Sequence, residues 1–334
     1  MKKAVFICDK QNKFNAVFGG DVIQRIGKLC RLDTTVYSRA DVLAAPHLFS
    51  DTEIIFSTWG MPQFSVEEIQ SIFPHLEAVF YAAGTVQAFA RPFLETGCKV
   101  FSAWAANAVP VAEYTVSQII LANKGFFTHA HLMGQQKVSE SRKLNNIYPG
   151  NYGARVGLIG CGMIGSLVAE RLKQYNLEVL VFDPFLPSEK AAALGVKATS
   201  LEEIFSTCLT VSNHLANNAQ TRGILSYSHF SAMIPYATFL NTGRGAQVVE
   251  DDLVRALSER PDLTAVLDVT FPEPPVADHP FYTLPNCFLT PHIAGSLGDE
   301  VRRMAEYMYQ ECGKYLSGEN CRYMVTEKML ETMA

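Results

Sequence analysis

The sequence predicts an α/β fold of two doubly wound domains, Rossmann-like and flavodoxin-like, with a cleft between them. Three observations carry that expectation. Short apolar runs alternate with helix-like stretches along nearly the whole chain, which is the pattern of parallel strands joined by crossover helices. An apolar run at 156–159 breaks into Gly160-x-Gly162-x-x-Gly165, and a helical pattern (Leu167, Val168, Leu172) follows at once. A length of 334 residues suits two domains of ordinary size, each able to bury a core.

Composition narrows the class. Apolar residues make up 48% of the chain and charged residues only 18%, so a folded globular enzyme is expected rather than a disordered chain. The net charge is −5 and there is no basic run, which argues against nucleic acid or an anionic membrane as a partner. The apolar run 4–8 after Lys2-Lys3 stops at Asp9; it reads as a first buried strand, too short for a signal peptide or a membrane span. Eight cysteines are scattered without C-x-x-C or Cys-His spacing. Neither a disulfide framework nor a metal site is indicated, and a reducing cytoplasm is the expected location.

In chain order, strands are expected at 4–8, 53–57, 78–81 and 99–102, with a helix over 65–73 started by Ser65 and Glu68 as a capping box. Two loops follow strands of this first set, Trp59-Gly60-Met61-Pro62 and Ala82-Ala83-Gly84-Thr85. Ligands of open α/β sheets bind outside the carboxyl ends of strands, so both loops are positioned to line a site. A long helix is expected at 105–123, with Pro110 near its start, and a loop-rich connection at 135–151. Further strands are expected at 209–213, 238–241, 264–267 and 287–290, a helix at 250–259, and a closing amphipathic helix at 300–316.

The glycine stretch has a physical reading of its own. Gly160, Gly162 and Gly165 permit a sharp turn, close approach of a pyrophosphate to the backbone, and tight packing of helix on strand. The phosphates would meet free N–H groups at the helix N-terminus. The next apolar run, 179–182, ends in Asp183, eighteen residues beyond Gly165. An acid there is placed to accept hydrogen bonds from the ribose of NAD and to repel the additional phosphate of NADP.

Three strand ends carry groups suited to redox chemistry on an acid. Thr242-Gly243-Arg244-Gly245 presents an arginine between glycines, free to clamp a carboxylate through two hydrogen bonds. Asp268 ends another strand, and Glu273 follows five residues later in a proline-rich loop. His292 comes directly after the last strand, in Thr290-Pro291-His292-Ile293-Ala294-Gly295. Arginine, carboxylate and histidine are the parts needed to reduce a 2-keto acid: one holds the substrate carboxylate, one gives a proton to the carbonyl oxygen, and one favours the protonated imidazole. His47, His75, His129, His131, His229 and His279 show no ligand spacing and read as structural or solvated, and Cys161 reads as a small filler in the glycine loop.

These motifs resemble the D-isomer-specific 2-hydroxyacid dehydrogenase family, whose members include phosphoglycerate and D-lactate dehydrogenases. The resemblance rests on NAVPVAE at 107–113, VGLIGCGMIG with VLVFDPF, FLNTGRG, LDV-x-x-PEP and LTPHIAG, in that order. It implies a nicotinamide-dependent interconversion of 2-keto and D-2-hydroxy acids, with NAD as cofactor and a homodimer built around 105–150. By resemblance Arg244 binds substrate, His292 is the acid/base and Glu273 its partner. Met163, Ile164, Asp183, His214, Ala216, Thr221, Thr242, Gly243 and Asp268 fall on cofactor positions, and Ala83-Gly84 on a backbone loop that holds the substrate carboxylate. It further implies a discontinuous substrate domain, 1–103 plus 297–334, around a nucleotide domain at 104–296. A rival reading is an NAD(H)-sensing binding protein of the corepressor type, which keeps similar residues. Met163 replaces a frequent basic residue, Ala216 a frequent proline, and Thr85-Val86-Gln87 lacks the family's aromatic-Asp pattern. The substrates of well-known members therefore do not transfer, and Glu273 in place of glutamine argues against formate oxidation.

Overall fold

The computed structural model describes residues 1–331; the last part of the expected segment 297–334, residues 332–334, lies outside the described residues. The chain divides into two compact units. One comprises Met1–Asn107 with the chain from Ser296 onward, and the other is Ala108–Gly295. Both are parallel α/β sheets covered by helices.

The first unit is built on β1 (Lys3–Ile7), β2 (Arg31–Tyr37), β3 (Ile54–Ser57), β4 (Ala78–Tyr81) and β5 (Lys99–Ser102), with a short antiparallel strand, Met324–Val325, on β5. The order is β5-β4-β3-β1-β2, the flavodoxin-like arrangement. Its inner strands β1, β3 and β4 are buried almost throughout because helices cover both faces. Phe56, Phe80 and Phe101 pair in register across β3, β4 and β5. Their rings stack at 5.3 and 4.6 Å, and Tyr315 of the helix Arg302–Ser317 meets Phe80 edge-on at 6.0 Å.

The second unit holds β6 (Arg155–Ile159), β7 (Glu178–Phe182), β8 (Lys197–Ala198), β9 (Thr210–Asn213), β10 (Thr238–Asn241), β11 (Thr264–Leu267) and β12 (Cys287–Leu289). All pairings are parallel, in the order β12-β11-β10-β9-β6-β7-β8. This is the dinucleotide-binding order, reversing between β6 and β9. Register matters most here. Ile159, Asn213, Asn241, Leu267 and Leu289 stand opposite one another across five strands. The residues that follow them, Gly160, His214, Thr242, Asp268 and Thr290, therefore begin their loops in one row along the carboxyl edge of the sheet.

Several elements differ from the sequence expectation. β2 had no counterpart in it: it is an edge strand, only partly buried along its length, so it lacks an apolar run. The expected loop-rich stretch 135–151 contains a short helix, Val138–Lys143, and another helix, Phe126–Gly134, precedes it. Pro110 lies inside the helix Trp104–Ala122 rather than at its first turn. The closing helix begins as a 3-10 turn, Gly298–Val301, before Arg302–Ser317. Among the described residues no helix is long and apolar enough to cross a membrane, and all eight cysteines are free thiols.

Candidate functional site

The glycine loop after β6 is shaped as a cradle. Gly160 has a left-handed backbone (φ +92°), and a Cβ there would meet the His214 carbonyl oxygen at 2.8 Å. A Cβ on Gly165 would collide with the Gly160 carbonyl, so the helix Met163–Leu172 packs directly on the turn. At Gly162 the opposite holds: a Cβ would meet nothing within 4 Å. Gly162 is the helix N-cap and has no side chain to cap with. The amides of Met163 and Ile164 thus have no acceptor among the described residues, and they form the positive, anion-attracting end of the helix dipole. Open space beside uncapped amides fits a dinucleotide pyrophosphate.

Asp183, just past β7, accepts hydrogen bonds from the amides of Cys161 (2.7 Å) and Phe185 (2.9 Å). The carboxylate thereby ties the glycine loop to the end of β7 and keeps lone pairs for a ribose hydroxyl. Lys190 and Ser166 both donate to the Cys161 carbonyl, at 3.0 and 2.9 Å. Lys190 was not singled out by the sequence, because nothing in its spacing links it to the loop.

His214 and Thr242, assigned to cofactor positions by resemblance, are bonded to each other. Thr242 Oγ1 lies 3.4 Å from His214 Nδ1 and 3.3 Å from Thr115 Oγ1, and Ser212 Oγ lies 2.9 Å from His214 Nε2. Both ring nitrogens are occupied inside the unit. Ala216 offers its carbonyl to the Thr221 hydroxyl at 2.6 Å, so those two also form one loop.

Asp268 is almost fully buried, and its carboxylate is used within the unit. Oδ1 accepts from the Thr290 hydroxyl (2.6 Å) and the Ile293 amide (2.8 Å), and Oδ2 accepts from the Ala294 amide (2.9 Å). The His292 amide donates to the Asp268 carbonyl at 3.0 Å. Held from both sides, His292 adopts a left-handed backbone (φ +56°) that a non-glycine residue rarely takes. Its ring then reaches Glu273, with Nδ1–Oε1 at 2.6 Å. Carboxylate on Nδ1 leaves Nε2 as the outward nitrogen, and both side chains are about two-fifths exposed (44% and 42%).

Arg244 is mostly buried. Its Nη1 donates to the Gly243 carbonyl at 2.7 Å, and it makes no ion pair with any carboxylate among the described residues. Burial pushes the guanidinium pKa down, while the Glu273 charge pulls it back up. A Cβ on Gly245 would collide with the Thr270 backbone, so the arginine turn is pressed against the start of the Glu273 loop. That loop is anchored by Glu250, which accepts the Phe271 amide at 2.8 Å. Arg244, Glu273 and His292 are thus brought to one corner of the second unit. Ala83 and Gly84 belong to the first unit. There Ser102 Oγ donates to their carbonyls (2.9 and 2.5 Å) and Thr58 Oγ1 donates to the Ala82 carbonyl (2.7 Å), while the amides of Gly84, Thr85 and Val86 have no acceptor among the described residues.

The comparisons with known proteins agree on one family. Residues 116–294 match the family model of the D-isomer specific 2-hydroxyacid dehydrogenase, NAD binding domain. The chain is 29% identical over 225 residues to D-3-phosphoglycerate dehydrogenase 2, chloroplastic, of Arabidopsis thaliana, and the match covers 67% of this chain and 36% of that one. It is 32% identical over 232 residues to a formate dehydrogenase of Chaetomium thermophilum, covering 66% of this chain and 62% of that one. The chain thus spans little more than a third of the plant relative's length. Among solved structures, the NAD-complexed D-isomer specific 2-hydroxyacid dehydrogenase of Lactobacillus delbrueckii ssp. bulgaricus superposes with a TM-score of 0.78 at 18% identity, over 97% of this chain and 100% of that one. That likeness is one of fold.

The buried histidine generates a pH prediction. Burial pushes the His214 imidazole down to about 4, whereas an unfolded histidine titrates near ~6.5. The unfolded chain binds the proton first, so the contribution of His214 is fully present above about pH 6.5 and is lost as pH falls towards the folded value. The gap corresponds to about 3 kcal/mol. Denaturant titrations at neutral pH and near pH ~4.5 should show the wild type losing more stability on acidification than His214→Gln. Equal losses in the two proteins would contradict the assignment.

Proposed function

The chain belongs to the D-isomer specific 2-hydroxyacid dehydrogenase family, and from that premise we propose that it is an NAD-dependent oxidoreductase interconverting a 2-keto acid and a D-2-hydroxy acid. The observation that carries this reading is Arg244. A largely buried guanidinium without a carboxylate partner, in the same corner as a hydrogen-bonded His292–Glu273 pair, is a site prepared for a small carboxylate next to a proton donor.

NAD is the cofactor, and when bound it supplies or accepts the hydride. The glycine cradle, the uncapped amides of Met163 and Ile164, and Asp183 are the groups that would hold it. The remaining work falls to the chain itself. Arg244 grips the keto-acid carboxylate through its planar fork and fixes the direction of the adjacent carbonyl. His292 donates its Nε2 proton to the carbonyl oxygen as negative charge develops there. Glu273 keeps the ring oriented through Nδ1 and stabilises the imidazolium before transfer. In the oxidative direction His292 removes the hydroxyl proton instead.

We also propose a homodimer built around 105–150, where Phe126, Met133, Val138 and Ile147 are exposed apolar side chains. Single exposed apolar residues are ordinary, but with Leu121 there are five within this one segment, which a partner copy would cover. Sedimentation at micromolar concentration should return a dimer mass; a monomer would contradict the assignment.

The enzymatic reading is tested by NADH oxidation against a panel of 2-keto acids. The wild type should turn over at least one of them. His292→Ala should lower kcat by on the order of 100-fold or more while still binding NADH. Arg244→Lys retains a charge but loses the fork, and should raise KM as well as lower kcat. Near-normal reduction by His292→Ala, or tight NADH binding with no turnover of any panel member, would contradict the reading.

A further inference from the structure

Next to the proposed site lies a buried amide network to which neither the proposed reaction nor the motifs assign a role. Gln247, Asn213 and Asn241 are all at most 1% exposed. Gln247 Oε1 accepts from Asn213 Nδ2 at 2.6 Å and from the Arg244 amide at 3.2 Å. Its Nε2 donates to the carbonyls of Leu215 (2.8 Å) and Ala216 (3.0 Å). Two donors and two lone pairs are all that a carboxamide has, and here all four are used inside the protein.

The other two amides complete the frame. Asn213 Nδ2 also donates to Asn241 Oδ1 at 3.0 Å. Asn241 Oδ1 takes the Gly243 amide at 3.1 Å, and Asn241 Nδ2 donates to the Arg244 carbonyl at 3.2 Å. The backbone of Arg244 is therefore held at both its N–H and its C=O by buried side chains. Gly243 leaves no slack, since a Cβ there would meet Gln247 Oε1 at 2.8 Å and Asn213 Nδ2 at 2.9 Å.

Gln247 is the member that reaches both ways. One end of its amide holds the arginine turn. The other end holds the carbonyls of loop 215–216, where Thr221 Oγ1 also meets the Ala216 carbonyl. A saturated buried network has a single low-energy arrangement, and a displacement at one end is felt at the other because no bond can be dropped without leaving a buried polar group unpaired.

We propose that Gln247 is a positioning residue that couples the loop 214–216, beside the cofactor, to Arg244, so that NADH binding tightens binding of the keto-acid carboxylate. The proposal rests on the dehydrogenase reading of the site. Ordering of loop 214–216 by the cofactor fixes the Gln247 amide, which in turn fixes the Arg244 backbone from which the guanidinium fork is projected. By linkage, the carboxylate ligand tightens NADH binding by the same factor.

The test measures binding of oxamate, an unreactive 2-oxo carboxylate, by calorimetry with and without saturating NADH. In the wild type, NADH should tighten oxamate binding by about 10-fold or more, within the usual range of coupling. In Gln247→Met, which keeps length but not hydrogen bonding, most of that tightening should vanish while the NADH Kd moves by less than about 3-fold. Gln247→His, which retains one donor and one acceptor, should restore part of it. Hydrogen exchange on the unmodified protein covers the case in which the variants do not fold: NADH should protect the amides of 243–245 together with those of 215–217. Full tightening in Gln247→Met, or protection of 215–217 without 243–245, would overturn the proposal and leave the dehydrogenase reading standing. Oxamate that fails to bind the wild-type NADH complex would remove that reading, and this proposal with it.

Discussion

The Asp268 carboxylate is the interaction on which the rest of the site depends. Buried at the end of β11, it gathers the Thr290 hydroxyl and the Ile293 and Ala294 amides. A charge in that position is costly unless its lone pairs are filled, and the turn after β12 supplies the donors. Folding the turn around the carboxylate puts His292 into a left-handed conformation that local preference opposes. The residues on either side over-determine the turn, and this sustains the strain. The imidazole consequently meets Glu273 across a loop junction rather than along one element.

The same logic recurs at Arg244. Burial disfavours its charge, and no carboxylate among the described residues neutralises it. Desolvation of this kind costs stability until an anion arrives, and it is repaid by the strength of a bidentate pair formed away from bulk water. The turn that holds the arginine is secured through backbone atoms by buried amides, and beyond the Nη1 bond to the Gly243 carbonyl the rest of the fork is left for a ligand. In both loops the chain spends buried hydrogen bonds on the backbone so that one side chain is left free to act.

Much of this was legible in the sequence, for physical reasons that can be named. Buried parallel strands are apolar on both faces, so β4 stands out as an uninterrupted run, and β6 and β11 carry runs at 156–159 and 265–267. The glycine loop is legible because only glycine fits the close backbone approaches found at Gly160 and Gly165. Arg244, Glu273 and His292 were singled out because each follows a strand of one sheet, and parallel register brings such ends into a row. β2 escaped because an edge strand has no fully buried face, and the helix Phe126–Gly134 because it buries no residue completely. The amide network escaped for another reason. Asn213, Asn241 and Gln247 become partners only across β9, β10 and the following 3-10 turn, and no spacing in the chain announces that. The role of Asp268 as a brace was hidden likewise, since its donors come from the turn after a different strand.

The proposed reaction is hydride transfer to the carbonyl carbon of a 2-keto acid to give the D isomer. The most direct measurement is the fate of deuterium from NADH labelled at the transferring C4 position, with an accepted keto acid as substrate and chiral separation of the product. The expected product carries one deuterium at C2 of the hydroxy acid, in the D isomer alone. Unlabelled product, or label in the L isomer, would contradict the proposed reaction.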